Sequence, residues 1–229
     1  MERPAMERPP RLTAKGRATR QRIVAGAAAE IRARGAVETT LDDVCRATAT
    51  SKSQLFHYFP AGREQLLHAV AQHEADRVLL DQEPYLSDLT SWGAWDAWRD
   101  AVLARYREQG TTCPLGVLMS RLTRTTPASR EVTARLLDQW QRKLAEGVRA
   151  MGEAGLTGPG VDPEQAAAAL LAGIQGGVSI LLQTGRLTHL EAALDVGIAG
   201  LRAVAPVAFA TPSRTPSRTP ARDRGPLVR

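Results

Sequence analysis

Apolar residues recur along most of the chain with the spacing of α-helices. Ile23, Ala27 and Ile31 lie four residues apart and form one apolar stripe, which ends before Gly35. Short helices are predicted to begin at Thr40 and Ser51. Longer helices are predicted at about 63–81, 91–109, 116–124, 127–152, 162–184 and 188–204. No stretch alternates long enough to indicate a strand, so the pattern predicts an all-α fold.

Capping residues support the two short helices. Thr40 stands three residues before Asp43, and Ser51 stands three residues before Gln54. A hydroxyl at the N-cap followed by an acid or amide at the third helical position is the capping-box pattern. About three residues separate the two helices, which predicts a helix-turn-helix at 40–59.

The second short helix has an apolar and a polar side. Leu55, Phe56 and Phe59 are predicted to be buried. The polar residues on or near the outer side are Lys52, Ser53, Gln54, His57 and Tyr58. Such side chains donate to phosphates and read base edges, and a helix fits the major groove. Gln54 has two alternative roles. As a capping residue its side chain would fold back to the Ser51 amide, whereas as a base-contacting residue it would reach adenine in the major groove.

Composition and charge add a smaller argument. Hydrophobic residues make up 43% and charged residues 24%, as in ordinary globular proteins. The formal net charge is +6, but residues 1–22 contain seven Arg and Lys and two Glu, and residues 211–229 contain five Arg and one Asp. The basic character therefore lies in the ends. A basic segment before a DNA-reading unit favours phosphate contact, while a solvated tail without a partner is the alternative.

The ends and the domain boundaries follow from composition. Residues 1–16 are Pro-rich and predicted to be a disordered basic arm, and residues 206–229 a disordered Pro/Arg-rich tail.

No uninterrupted apolar run reaches about 18 residues and no signal-peptide core opens the chain, which predicts a cytoplasmic protein without membrane contact. Cys45 and Cys113 are too few for a disulfide framework.

The motif resembles the TetR family of bacterial regulators, whose pattern S-x-x-x-L-[YF]-x-[YH]-F matches Ser51, Leu55, Phe56, Tyr58 and Phe59. The resemblance covers about residues 17–77. It implies a three-helix DNA-binding domain, followed at 78–205 by a larger helical domain for ligand binding and dimerisation. It also implies a dimer on a palindromic operator of double-stranded DNA. Two departures are Ala49, where the family has Gly in the turn, and a linker through Ala61 and Gly62 that is one residue longer.

Carried over by position, the resemblance implies two groups of DNA contacts. The residues expected at phosphates are Thr40, Thr50, Ser51, Lys52, Tyr58 and Arg63. The residues expected at bases are Ser53, Gln54 and His57, with phosphate contact the alternative for His57.

The C-terminal half contains candidate ligand-binding and dimer residues. A pocket for an apolar or aromatic effector would be lined by Trp92, Trp95, Tyr106, Met119 and Trp140, with a plain core as the alternative. Trp92, Trp95 and Trp98 lie three residues apart, a spacing that drifts around a helix. At least one of them is therefore predicted to be partly exposed. The segment 113–116 resembles the LmrA/YxaF-like branch of the family. Cys113 is interpreted as a small buried thiol rather than a redox sensor.

Small residues on the last two predicted helices indicate close helix packing. Gly173, Gly176, Gly177, Gly197 and Gly200 stand beside Leu and Ile. We expect helices 162–184 and 188–204 to form a homodimer interface, with an intramolecular bundle as the alternative.

Motifs of catalysis are not found. The sequence has no HExxH, no CxxC and no glycine-rich phosphate loop, and no nucleophile stands at plausible spacing from a base. We therefore predict that the protein is not an enzyme and has no metal or cofactor. The helix-turn-helix motif and the large helical domain behind it, together with the family resemblance, imply a repressor released from its operator by a small apolar or aromatic ligand. The alternative is a constitutive DNA-binding dimer without an effector.

Overall fold

The computed structural model describes residues 12–119 and 127–202, and these form helices without strands. The predicted all-α fold is confirmed. The predicted arm at 1–16 lies mostly, and the tail at 206–229 entirely, outside the described residues. The helices are α1 (Ala14–Arg34), α2 (Leu41–Ala47), α3 (Lys52–Tyr58), α4 (Arg63–Leu80), α5 (Trp92–Gln109), α6 (Pro114–Met119), α7 (Pro127–Glu153), α8 (Pro163–Thr184) and α9 (Thr188–Arg202).

The N-terminal core is built on the predicted stripe of α1. Ile23, Ala27 and Ile31 are buried against Leu55 and Phe59, which come from α3 and its C-terminal end. Thr13 caps α1 by accepting from the Gly16 amide, and Gly35 ends the helix at a φ of +84°. Gly tolerates that angle because it has no Cβ.

Helix α4 belongs to both halves of the molecule. Its first turns bury Leu66 and Val70 in the N-terminal core, and its later turns bury Ala75 and Val78 in the C-terminal core. The predicted boundary at 77/78 falls inside this helix, which continues without a break to Leu80. A displacement of α4 would therefore act on both cores.

The C-terminal core lies among α4, α5 and α6–α9 and contains three of the four tryptophans, Trp95, Trp98 and Trp140. The described part of α6 spans 114–119, whereas the sequence predicted 116–124. The helix begins earlier because Pro114 occupies its first position, which suits a residue without an amide hydrogen. Residues 120–126 lie outside the described residues, as does the predicted helix end at Val204.

One described helix, α8, is long and apolar enough by length and composition to span a bilayer. Its 18-residue window has a mean hydropathy of 1.6, and 39% of that window is buried. The search for an uninterrupted apolar run therefore understated this helix, because Gln175 and Ser179 break the run while its Ala, Leu and Ile residues keep the mean hydropathy high. A core helix of a soluble protein passes the same test, so the finding alone does not indicate a membrane.

Candidate nucleic-acid interface

Helix α2 begins in a closed capping box, as predicted. The Thr40 hydroxyl accepts from the Asp43 amide at 3.2 Å, and the Asp43 carboxylate accepts from the Thr40 amide at 3.0 Å and from its hydroxyl at 2.6 Å. Arg46 and Arg34 add ion pairs to the same carboxylate at 3.0 and 3.2 Å. The Thr40 hydroxyl, followed by its amide and by Arg34, holds the pKa of Asp43 well below its usual range. Asp43 thus fixes the start of α2.

The turn between α2 and α3 keeps a left-handed residue although Ala49 stands where the family has Gly. Ala49 has a φ of +46°, a conformation that costs an L-residue roughly 1 kcal/mol or more. The Thr50 amide donates to the Cys45 carbonyl at 2.9 Å, and the Arg22 side chain donates to the Thr48 carbonyl. These bonds hold the turn against α1 despite the strain.

A close approach beside this turn was missed by the sequence analysis. A Cβ built on Gly26 of α1 would lie 2.2 Å from Thr48 Cγ2. Glycine is therefore required where α1 passes the turn. The sequence signal was Gly inside an otherwise regular helical stripe.

Helix α3 presents most of the predicted polar residues to solvent. The Ser51 hydroxyl accepts from the Gln54 amide at 3.1 Å, while Leu55 is fully buried and anchors the helix. The exposed polar residues on this helix and its cap are Ser51, Lys52, Ser53, Gln54 and His57. The helix is therefore fixed on one side and free on the other.

The two roles considered for Gln54 separate in the structure. Only one half of the second capping box forms, because the Gln54 side chain makes no hydrogen bond within the described part of the chain. Its amide group is exposed. The geometry leaves this side chain available for contact with a DNA base.

Phe56 is a correction to the predicted buried side of α3. Its side chain is 45% exposed and lies beside Gly62, where a built Cβ would approach the ring to 3.2 Å. Leu55 and Phe59 already fill the available core positions, and Arg20 of α1 stacks over the Phe59 ring at 5.0 Å. Phe56 follows Leu55 by one residue, which turns its side chain about 100° around the helix and away from this core.

Three residues expected at phosphates are held partly or fully inside the protein. Thr50 is buried, and its hydroxyl bonds the Thr48 carbonyl at 3.1 Å. The Arg63 guanidinium donates to the carbonyls of Ala36 and Thr39, in the loop before α2. Tyr58 is half-buried against the N-terminal core. In these positions the three side chains make contacts that hold the motif together, and they are less available on its outer surface.

Lys52 and His57 of the motif each have a close neighbour. Lys52 Nζ lies 2.8 Å from Asp42 Oδ1, joining α3 to α2. The His57 ring meets the Tyr58 ring edge to face at 4.9 Å between centroids. Both Lys52 and His57 remain exposed on the surface that carries Gln54.

Three of the predicted pocket residues, Trp95, Tyr106 and Trp140, are buried in the C-terminal core. Trp95 and Trp140 are fully buried in the core, and the Trp95 indole donates to the Leu89 carbonyl at 3.1 Å. Trp92 is half-buried beneath Arg202, which confirms the predicted partial exposure of one Trp. Met119 ends α6, at the edge of the described residues. A plain core explains most of this set.

A small cleft does open at Tyr106, between α4 and α5. It has a volume of about 20 Å³ and is bordered by Val78, Gln82 and Pro114 among others. Burial raises the pKa of Tyr106 and that of the nearby Cys113 thiol, so both stay protonated at neutral pH. Cys113 is buried, as predicted for a small buried thiol.

The small residues of α8 and α9 divide into two sets. A Cβ on Gly177 would lie 2.6 Å from Leu190 Cα, and one on Gly197 would lie 2.3 Å from Leu170 Cδ2, so these glycines pack α8 against α9 within the chain. A Cβ on Gly176 or Gly200 would meet no atom within 4 Å. The intramolecular alternative therefore accounts for part of the pattern and leaves an outer small-residue face.

Comparisons with known proteins match both halves of the chain. Residues 23–70 match the family model described as bacterial regulatory proteins, tetR family, and residues 93–196 match the tetracyclin repressor-like C-terminal domain. A curated HTH-type transcriptional regulator from the lacX 3' region of Lactococcus lactis is 28% identical over 188 residues, covering 79% of this chain and 91% of that protein. An HTH-type regulator of Mycobacterium tuberculosis is 28% identical and covers 56% of this chain and 71% of its own length.

Solved structures show the same fold. A TetR regulator from Chloroflexus aurantiacus is 25% identical, with a TM-score of 0.69 over 82% of this chain and 96% of its own. SmeT in its complex with triclosan is 18% identical, with a TM-score of 0.65 over 93% and 100% of the two chains. The LmrA/YxaF-like branch stays a prediction. With the helix-turn-helix, these matches show that the chain belongs to the TetR family of DNA-binding transcriptional regulators, which are not enzymes.

Proposed function

We propose that this regulator is a homodimeric repressor that binds a palindromic operator through α3 and leaves it when a small ligand binds the C-terminal domain. The observation that carries the proposal is the arrangement of α3. Its apolar side is fixed in the core, whereas Ser53, Gln54 and His57 are exposed. A fixed helix with exposed polar side chains is suited to reading base edges in the major groove.

The contacts divide by the surroundings of each side chain. Ser51 and Lys52 at the start of α3, and Thr40 at the start of α2, are exposed and suited to the DNA backbone. Ser53, Gln54 and His57 face outward along α3 and are proposed to contact bases. We assign Thr50, Tyr58 and Arg63 mainly to holding the motif together.

The outer face of α8 and α9 supports the dimer. Val196 is 73% exposed, and it borders an apolar groove of about 420 Å³ with Gly173, Gly200 and Leu201 among its lining residues. A second copy covering this groove would bury the apolar surface of α8 without a membrane, as expected of a cytoplasmic protein. Two copies would then place their α3 helices in successive major grooves, about 34–36 Å apart.

Helix α4 supports a ligand response because it links the two cores. At its start Arg63 bonds the loop before α2, and further along Glu74 forms a buried ion pair with Arg32 of α1. A ligand that widened the Tyr106 cleft would press on Val78 of the same helix. Among the described residues, the buried Trp140 Nε1 of the same core has no hydrogen-bond partner, and it would be a donor to a ligand that entered this core. An apolar or aromatic ligand with one acceptor fits these groups.

A constitutive DNA-binding dimer is the second candidate. The small volume of the Tyr106 cleft and the full burial of Trp95 and Trp140 favour it. The two candidates agree on DNA binding and on the dimer, and they differ only in the response to ligand.

The experiment begins by selecting bound duplexes from a random DNA pool with the full chain. A recovered palindrome supports sequence-specific binding by a dimer, and recovery of no common sequence contradicts it. Gel-shift assays on that operator with a panel of apolar and aromatic compounds test the ligand response. Release by a compound, with a matching rise in thermal stability, supports the proposal. Retention with every compound favours the constitutive dimer.

A further inference from the structure

The outer surface of the helix-turn-helix contains one ion pair between its two helices. Lys52 Nζ lies 2.8 Å from Asp42 Oδ1, and the two side chains are 65% and 59% exposed. Lys52 is the first residue of α3 and Asp42 the second residue of α2. The pair therefore lies on the side of the motif where the DNA backbone is expected.

Asp42 differs from its neighbour Asp43 in how it is held. Asp43 is fixed by Thr40, Arg34 and Arg46, which makes it part of the scaffold. Within the described part of the chain, Asp42 has Lys52 as its one ion-pair partner. The Asp42 carboxylate raises the pKa of Lys52, so the lysine stays a cation throughout the physiological range.

We propose that Asp42 is an internal competitor for the DNA phosphate at Lys52, and that it lowers the affinity of the motif for DNA. The proposal rests on the proposed function, in which Lys52 contacts the DNA backbone. A carboxylate and a phosphate are both anions that an ammonium group binds through its N–H donors. A phosphate approaching Lys52 must displace Asp42 or share the lysine with a group of like charge.

The size of the effect follows from exposure. Exposed ion pairs are worth little, which allows the pair to open when DNA arrives. Replacing Asp42 by Asn keeps the shape and removes the charge. We therefore expect Asp42→Asn to tighten binding about two- to fivefold at low salt, both on the selected operator and on a duplex of random sequence.

A double-mutant cycle separates competition from general repulsion. The four proteins are wild type, Asp42→Asn, Lys52→Ala and the double variant, titrated with both duplexes by fluorescence anisotropy. Lys52→Ala should weaken binding to both duplexes and reduce the slope of log affinity against log salt by about 0.9 per subunit in contact with DNA, or about 1.8 for a bound dimer. In the Lys52→Ala background, the gain from Asp42→Asn should largely disappear.

Glu38→Gln is the matched control. Glu38 is an exposed acid in the loop before α2 and forms no ion pair within the described residues. Its replacement changes the net charge by the same amount without releasing a lysine, so its effect should be smaller than that of Asp42→Asn. Urea unfolding of every variant checks that the fold is intact.

Three outcomes would overturn the competitor role. An equal gain from Asp42→Asn with and without Lys52 would mean simple charge repulsion. Weaker binding by Asp42→Asn would mean that Asp42 positions Lys52 for DNA, and unchanged binding would mean that the pair has no influence. Wild-type protein that binds neither duplex would instead overturn the proposed function, and the competitor role with it.

Discussion

Asp43 and Gln54 occupy equivalent capping positions on neighbouring helices but have different surroundings. The Asp43 carboxylate closes a capping box and receives Arg34 and Arg46, whereas the Gln54 side chain is exposed and leaves its capping box half formed. The difference follows from charge, because a carboxylate attracts nearby cations and binds backbone N–H groups more strongly than a neutral amide does. One position therefore stabilises the motif, and the other is free to contact DNA.

Asp43 makes the stability of the motif dependent on pH. Its folded-state pKa is lowered, chiefly by the Thr40 hydroxyl, so its contribution to stability is present above the ordinary aspartate pKa of about 4. That contribution is lost as the pH falls below that value towards the folded-state pKa. We expect the free energy of unfolding of Asp43→Asn, measured in urea, to fall less than that of wild type over this range.

Thr40→Ala tests whether the Thr40 hydroxyl is the cause of the lowered Asp43 pKa. It should cost about 1 kcal/mol at neutral pH through the lost cap, and it should also reduce the pH dependence. An unchanged pH dependence in both variants would assign acid sensitivity to other carboxylates.

Gln54 is expected to determine sequence preference without affecting stability. Gln54→Ala should change the preference at one base pair of each operator half-site by about 1–3 kcal/mol, since the bidentate contact of an amide with adenine is lost. Its urea midpoint should match that of wild type. Ser51→Ala is the contrasting variant, with a loss of about 1 kcal/mol of stability. A destabilised Gln54→Ala with unaltered base preference would return Gln54 to the capping role.

At the scale of elements, Gly177 tests the packing of α8 on α9. A Cβ there would lie 2.6 Å from the backbone of Leu190, so Gly177→Ala must displace α9. Overpacking of this kind costs about 1–3 kcal/mol, more than the roughly 1 kcal/mol that Ala gains in helix propensity. Gly152→Ala in α7, away from the proposed dimer face, is the matched control because its Cβ would come no closer than 3.5 Å, to Thr157 Oγ1. Urea unfolding should separate the two, and equal stabilities would mean that α9 adapts without cost.

Glu74 tests the link between α1 and α4. Its side chain is completely buried and paired with Arg32, and its Oε2 has no hydrogen-bond partner in the part of the chain that the structure describes. Glu74→Gln leaves the Arg32 charge without its counter-ion and should cost about 3 kcal/mol. The exposed pair of Arg135 and Glu131 provides the control, because Glu131→Gln should cost less than about 1 kcal/mol. Equal unfolding free energies for the two variants would contradict a structural role for Glu74.

The helices could be predicted from the sequence because their signals are local. Periodicity located the stripe of α1, and hydroxyl caps located the starts of α2 and α3. The surroundings of individual side chains could not be predicted in this way. The burial and contacts of Phe56, Thr50 and Arg63 depend on which side of a short helix or turn faces α1 and the loop before α2. Likewise, periodicity shows that Gly176 and Gly177 permit close approach, but only the position of α9 shows which of them is used.

On the scale of the whole molecule, DNA affinity and oligomeric state are expected to be linked. A palindromic operator offers two half-sites, and a dimer binds the second as an intramolecular event. The exposed groove on α8 and α9 is the proposed dimer contact on which this dependence rests. A variant that loses the dimer while keeping its fold would therefore lose operator affinity without losing the reading helix.

Val196→Asp is that variant. Val196 is 73% exposed within one chain, so an aspartate there should leave the monomer folded, whereas in the dimer it would bury an unpaired charge. We expect sedimentation to show a monomer and the affinity for the full palindrome to fall at least about tenfold. Binding to a single half-site should change little. Leu80→Asp, at an equally apolar and 68% exposed position at the end of α4, should remain dimeric. If Val196→Asp stays dimeric with full affinity, the second copy contacts another surface, and the apolar face of α8 needs a different explanation.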